Sequence, residues 1–292
     1  MAPEERRGTL AAFGAFFFWG AMPLYFWAFP DTVGAFEITL HRIFWTFVLF
    51  LVLFAVQGNL TKALSLFKQP KVIATLVAST ILISINWMVY AWAAMNGHLA
   101  EASLGYFINP LFNVVLGVVI LHEKLNLWRW LAVGLAAIGV LNQIIIVGQP
   151  PWIALTLAFS FGGYGLLRKT VAAEAGEGLF IETLIVAPLM FGAIVWLEMH
   201  GNGHLFSGTP LTIFLLLIAG LTIIIPLTMF NFAARRMPLS TLGLIQYIAP
   251  TSTFTMAILV GEKLTFGGVM TFVLIWMGLA LYSLDLWRKR GV

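Results

Sequence analysis

Four ionisable side chains stand within long apolar stretches of this 292-residue chain: Glu37, His41 and Arg42 near the start of one stretch, and Glu182 near the start of another. A charge at the centre of a membrane helix costs about 2.5–3.5 kcal/mol on insertion scales, so each one needs a reason. Glu37 and His41, four residues apart, share a helix face, and at about 1.5 Å per residue Arg42 lies about 10 Å below the surface from which its helix enters. Two readings fit. In one, Arg42 snorkels outward and pairs with Glu37, while Glu182 stabilises its own helix N-terminus through the macrodipole. In the other, these are gate or coupling residues at the two ends of one pathway, with His41 or Glu182 carrying a proton. Unchanged transport and pH dependence in Arg42→Ala and Glu182→Gln would exclude the second.

A larger set of amides and aromatics lies in the same apolar stretches. Asn86, Trp87 and Tyr90 fall on one segment, and Tyr106, Asn109 and Asn113 form a stripe on the next. Asn231 follows Phe230 further on, and Gln246 precedes Tyr247. A buried amide is costly unless hydrogen-bonded, so these groups should face other helices or water rather than lipid. Trp19, Tyr25 and Tyr164 are candidates on the same argument. Pro110 and Pro250 would each remove a backbone hydrogen bond near mid-span, freeing a carbonyl for a neighbour or a substrate ammonium. These residues suggest a central cavity lined by spans one, three, four, six, eight and nine. The plainer alternative is that amides bridge helices and aromatics form interfacial belts. Gly117, Gly134, Gly139, Gly162, Gly163 and Gly165 read as close-packing positions between helices.

Absences narrow the chemistry. There is no phosphate-binding G-x-x-x-x-G-K-[ST] loop, so ATP is not a direct energy source. No zincin motif or nucleophile elbow is present, which argues against an enzyme. Two histidines in the His200–His204 loop lack a carboxylate pair beside them in sequence and make a poor metal site. With no cysteine in the chain, thiolate chemistry is excluded. No cofactor, metal or nucleic-acid partner is expected; the partners are a small-molecule substrate and the lipid bilayer.

The elements that must position these residues follow from composition. Hydrophobic residues make up 61% of the chain and charged residues 10%, with a mean hydropathy of +0.96, whereas soluble domains carry roughly 25% charged residues. At roughly 20 residues per span this length holds about ten helices. Apolar runs place them near 8–29, 35–56, 71–95, 101–121 and 128–147, then 150–167, 178–199, 210–233, 239–260 and 266–287. The runs are too long and too uniform for barrel strands. The first lacks a small-x-small cleavage site and reads as a retained helix. With both termini cytoplasmic, 14 of the 16 Lys and Arg residues face the cytoplasm and one, Lys263, faces away, while Arg42 lies within a span. That asymmetry is the positive-inside bias.

The chain also repeats. An offset of 140 residues pairs Ile83 with Ile223, Ala93 with Ala233, Leu104 with Leu244, Ile108 with Ile248 and Pro110 with Pro250. After a one-residue gap, Glu123-Lys124-Leu125 pairs with Glu262-Lys263-Leu264. Five spans per half is an odd number, so the halves 1–149 and 150–292 enter the membrane in opposite senses. Such inverted repeats build many alternating-access transporters.

Several motifs carry a resemblance over the whole length: Glu37…His41-Arg42, Tyr106-Phe107-Ile108-Asn109-Pro110, His122-Glu123-Lys124-Leu125, Tyr164-Gly165-Leu166-Leu167-Arg168-Lys169, Glu182-Thr183-Leu184, and Gln246-Tyr247-Ile248-Ala249-Pro250 with Gly261-Glu262-Lys263-Leu264. The chain resembles the RarD branch of the EamA family, in the drug/metabolite transporter superfamily, and is similar to its aromatic and neutral amino-acid exporters. The resemblance implies an all-α integral membrane protein of ten transmembrane helices in two inverted five-helix repeats, multi-pass in the bacterial inner (cytoplasmic) membrane. It implies secondary or facilitative export of amino acids and similar small metabolites, with a drug/proton antiporter of the multidrug or chloramphenicol type as the alternative. An isolated half would leave polar surface unsatisfied, so one chain should form a complete pathway.

Overall fold

A computed structural model describes residues 3–120, 122, 126–147, 151–237, 242, 245–261 and 266–290. The paired Glu-Lys-Leu motifs lie outside them. Among the described residues the regular structure is entirely helical, with no strand. In the first half the helices are α1 (Pro3–Gly20), α2 (Met22–Trp27), α3 (Ala35–Val56), α4 (Leu60–Leu64), α5 (Pro70–Met95), α6 (Leu99–Val119) and α7 (Leu127–Val147). The second half supplies α8 (Trp152–Thr170), α9 (Ala175–Met199), α10 (Pro210–Leu217), α11 (Leu221–Ala234), α12 (Ile248–Leu259) and α13 (Phe266–Arg290). Apolar runs without water to bond their amides must satisfy the backbone internally, and a helix does so within one segment. Just past α3 and α5 stand Gly58 and Gly97 at φ +67° and +73°, the left-handed conformation that ends a helix at little cost only for glycine.

Six stretches are long and apolar enough to cross a bilayer: Arg6–Trp27, Ala35–Val56, Pro70–Met95, Leu99–Val119, Ala175–Met199 and Pro210–Ala234. Trp130–Ile146, Ile248–Leu259 and Val269–Gly278 are shorter apolar segments. The expected span at 150–167 is present as α8 but is less apolar: it packs against α5 and α6 and carries Ser160, Tyr164 and Arg168 buried in the bundle. Three expected spans are interrupted: the first at Gly20–Ala21, the eighth at Ile218–Gly220, and the ninth at a turn over Gln246 and Tyr247.

The proline expectation is corrected for Pro250, the third residue of α12, where no intrahelical donor is needed; Pro110 lies in the middle of α6, where it has no N–H to give to the helix. Gln246 O, the carbonyl a mid-helix Pro250 would have freed, accepts from Ala249 N at 3.2 Å. Pro188 in α9 and Pro226 in α11 are also inside helices.

Packing pairs α3 with α9 and α7 with α13. Helix α8 takes α5 and α6 as neighbours, α1 takes α11 and α12, and α6 meets α12. Gly162 makes the α6–α8 approach possible, since a Cβ there would meet Phe112 Cδ1 at 2.5 Å. Gly139 does the same for α7 and α13, with Thr271 O at 3.1 Å, whereas Gly134 has nothing within 4 Å. At one end of the bundle Glu4 pairs with Arg236 at 2.9 Å, Lys62 with Glu177 at 2.7 Å and Arg235 with Glu174 at 3.0 Å. The opposite end joins Glu37 to His204, and Glu101 to the backbone of Ile153.

Candidate functional site

The bundle encloses a central cavity of about 40 Å³, room for a few waters. Phe16, Trp19 and Met22 come from the first span, Arg42 from α3, and Asn86, Trp87 and Tyr90 from α5. Tyr106 of α6, Phe161 of α8 and Gln246, Ala249, Pro250 and Thr253 of the ninth span complete it. The turn that interrupts the ninth span therefore presents Gln246, while α12 begins just beyond it. Further rings pack beside the lining. Phe230 of α11 packs on Phe16, Trp19 and Phe161, with centroids 6.0, 5.7 and 5.1 Å away. Toward the other end Phe26 packs on Tyr25 at 5.6 Å and Tyr90 at 5.9 Å.

The polar groups in the wall are fixed by neighbouring helices. Asn86 Nδ2 donates to Leu157 O at 3.1 Å and Ser160 Oγ at 3.0 Å, and its Oδ1 accepts from Tyr106 OH at 3.2 Å. This amide is thus fully engaged, and Tyr106 is oriented by it. Gln246 Nε2 donates to Asn109 Oδ1 at 2.9 Å, and Asn109 in turn donates to Ala158 O at 2.8 Å. Tyr106→Phe should leave the fold intact and cost about 0.5–1.5 kcal/mol, one hydrogen bond, read as a small drop in thermal midpoint in detergent.

Of the residues singled out from sequence, Trp19, Asn86, Trp87, Tyr90, Tyr106 and Gln246 line this cavity. Asn109 stands behind Gln246, and Tyr247 packs on Phe107 at 5.8 Å. Tyr25 donates to Leu215 O at 3.1 Å, outside the lining. The eighth span contributes no lining residue; the second does, through Arg42.

Tyr164 and Asn231 belong to a second polar cluster. Asn231 Nδ2 donates to Tyr164 OH at 3.0 Å, and Tyr164 OH lies 3.4 Å from Glu182 Oε2. Glu182 also accepts from Ser79 Oγ at 2.5 Å and faces Arg168 Nη1 at 3.8 Å. The macrodipole reading of Glu182 therefore yields to an ion pair in which each partner is only 2% exposed. Arg168, taken as a loop charge from sequence, is the functional-looking group that sequence reasoning missed. Its Nη2 donates to Ala175 O at 3.0 Å, and its guanidinium packs against Gly178, where any Cβ would overlap it.

The expected Arg42–Glu37 pair does not form. Five residues apart on a helix are about 140° apart in direction, on different faces. Glu37 accepts from His204 N at 2.6 Å and meets His204 Nδ1 at 2.8 Å, while Glu198 accepts from Leu205 N at 2.8 Å. Two carboxylates thus hold the loop before α10. Glu37→Gln should cost about 1.5–3 kcal/mol, the worth of hydrogen bonds to a charged group, and speed proteolytic cleavage between Gly201 and Ser207. His41 points away from the cavity into a cleft between α3 and α9, beside Phe44, Trp45 and Phe191. Its Nδ1 accepts from Trp45 Nε1 at 3.2 Å.

No group of three or more His, Cys, Asp or Glu among the described residues could hold a metal ion. Comparisons with known proteins place the chain among transporters. The model of the EamA-like transporter family matches residues 6–143. An uncharacterized transporter of Pseudomonas aeruginosa is 42% identical over 289 residues, covering 97% of this chain and 95% of that protein. Protein RarD of Escherichia coli is 42% identical over 286 residues, covering 97% and 96%. A chloramphenicol-sensitive protein RarD of Pseudomonas aeruginosa is 27% identical over 260 residues, covering 87% and 86%. One crystal structure shares the fold, with a TM-score of 0.65 at 18% identity, covering 95% of this chain and 97% of that one. Identity near 40% over almost every residue, with the family model in agreement, makes this chain a member of the EamA-like transporter family, in the RarD-like branch of the drug/metabolite transporter superfamily.

Proposed function

We propose that the chain exports amino acids, aromatic and neutral ones within a broad set, and similar small metabolites across the bacterial inner membrane by alternating access. The observation that carries this reading is the central cavity: aromatic faces from four spans and a fixed amide, with further rings packed beside its lining. Stacking surface suits an apolar side chain, and polar groups set in an apolar wall suit a zwitterionic head. The two halves act as inverted repeats. In support, the neighbours α8 takes from the first half, α5 and α6, answer to those α1 takes from the second, α11 and α12. The end bearing Lys62, Arg235 and Arg236 faces the cytoplasm, by the positive-inside bias.

Counter-flow in proteoliposomes tests the reading. Preloaded unlabelled amino acid should accelerate entry of labelled aromatic and neutral amino acids by at least about tenfold over empty vesicles, as expected for a carrier near saturation. No acceleration with any amino acid would sink the substrate assignment. Drug/proton antiport is the second reading, favoured by the enclosed Glu182–Arg168 pair as a coupling group. It requires flux driven by a pH gradient and lost in Glu182→Gln.

A further inference from the structure

Arg42 is 2% exposed and lies in the cavity wall. Its Nε donates to Thr222 Oγ1 at 2.9 Å, and its guanidinium carbon sits 5.3 Å from the centroid of Phe26. Thr222 in turn donates to Ala219 O at 2.6 Å, so its hydroxyl oxygen is held as an acceptor for the arginine. Nη1 is buried and has no hydrogen-bond partner. Among the described residues no carboxylate lies within ion-pair distance of Arg42, and the nearest in sequence, Glu37, is bound to His204. An arginine is always charged, and a buried charge lacking its counter-ion is costly by several kcal/mol.

The counterpart position in the second half is handled differently. Glu182 stands 140 residues after Arg42, the offset of the repeat, and is matched by Arg168. The same offset carries Arg168 back to Ala28, which has no charge to offer. The second half is therefore neutralised within the chain, and the first half is left with one unmatched positive charge facing a cavity walled by rings and amides.

We propose that Arg42 anchors the carboxylate of the transported solute, and that the cavity selects solutes with one carboxylate group. The inference rests on the transporter reading above and narrows its substrate class. A guanidinium edge matches a carboxylate in shape and charge. Amines that lack a carboxylate would set a second positive charge beside Arg42 and are rejected. Solutes with several negative charges would bring more charge than one arginine offsets. The apolar body of the solute would lie against Trp87 and Phe161, which requires a wider conformation than the 40 Å³ cavity seen here.

The test uses the full chain in proteoliposomes and three matched series: phenylalanine, leucine and valine as free acids, the same three as carboxamides, and the amines that lack the carboxyl group. Acids should exchange at least about tenfold faster than amides and amines, the loss of one charge-assisted contact. In Arg42→Gln the difference between acids and amides should disappear, and Arg42→Lys should keep the preference with weaker binding. If Arg42→Gln does not fold, the wild-type comparison of acids with amides decides alone. Equal exchange of acids and amides would overturn the carboxylate anchor and leave the amino-acid carrier standing. Exchange of amines alone would also overturn it. No exchange in any series would overturn both.

Discussion

Arg168→Met and Glu182→Gln each lower stability by about 3–5 kcal/mol, because each strands one charge in a site closed to water. In the native chain the two groups face each other at 3.8 Å and both are 2% exposed, so neither can turn to solvent when its partner is neutralised. The double variant Arg168→Met with Glu182→Gln should cost much less than the sum of the single changes. Its glutamine still offers an oxygen to Ser79 and Tyr164, which now bond the carboxylate, and methionine fills the arginine's volume without a charge. The resulting coupling, of about 1 kcal/mol or more, is measured from thermal unfolding of the four proteins in one detergent. Additive losses would mean that the two charges do not compensate each other. A surface ion pair such as Lys62–Glu177 serves as the contrast: its lysine side chain is 67% exposed, and its removal should shift stability by less than about 1 kcal/mol.

Much of this molecule could be read before its structure, for identifiable reasons. Long apolar runs announce helices because hydrocarbon leaves the backbone no alternative. Asn86, Tyr106 and Gln246 were found because an amide or hydroxyl inside such a run must have a partner. The same signal drew in Asn109, Tyr164 and Asn231, whose partners are neighbouring helices rather than the cavity. Which face of a helix turns inward is a rotation set by packing, and the pattern of residues left it open. His41 and Arg42, adjacent in sequence and so about 100° apart, show the consequence: one meets the cleft beside Phe191 and the other the cavity. Arg168 was hidden by its position in a basic pair at the end of a span, where charge ordinarily marks a loop. What buries it is Gly178, on the next helix.

The close approach that sets Arg42 in place gives the other large effect. Gly220 joins α10 to α11 against α3, and a Cβ there would stand 2.5 Å from Thr46 N and from Trp45 C. Both are backbone atoms, which cannot swing aside as a side chain would. Thr46 Oγ1 also donates to Gly220 O at 3.0 Å, locking the two segments together. Two residues on, Thr222 receives the arginine. Gly220→Ala must therefore push α11 away from α3, at a cost of about 1–3 kcal/mol or more, and must draw Thr222 off Arg42. Transport should fall more than stability alone explains, since a guanidinium without its hydroxyl acceptor loses its aim. Gly134→Ala is the control: its added methyl meets nothing within 4 Å, and in a helix interior alanine is favoured over glycine by about 0.5–1 kcal/mol. Counter-flow rates set against thermal midpoints for the two variants separate the effects. If Gly220→Ala loses stability yet exchanges solute at the wild-type rate, the α3–α11 contact holds the fold and does not aim the arginine.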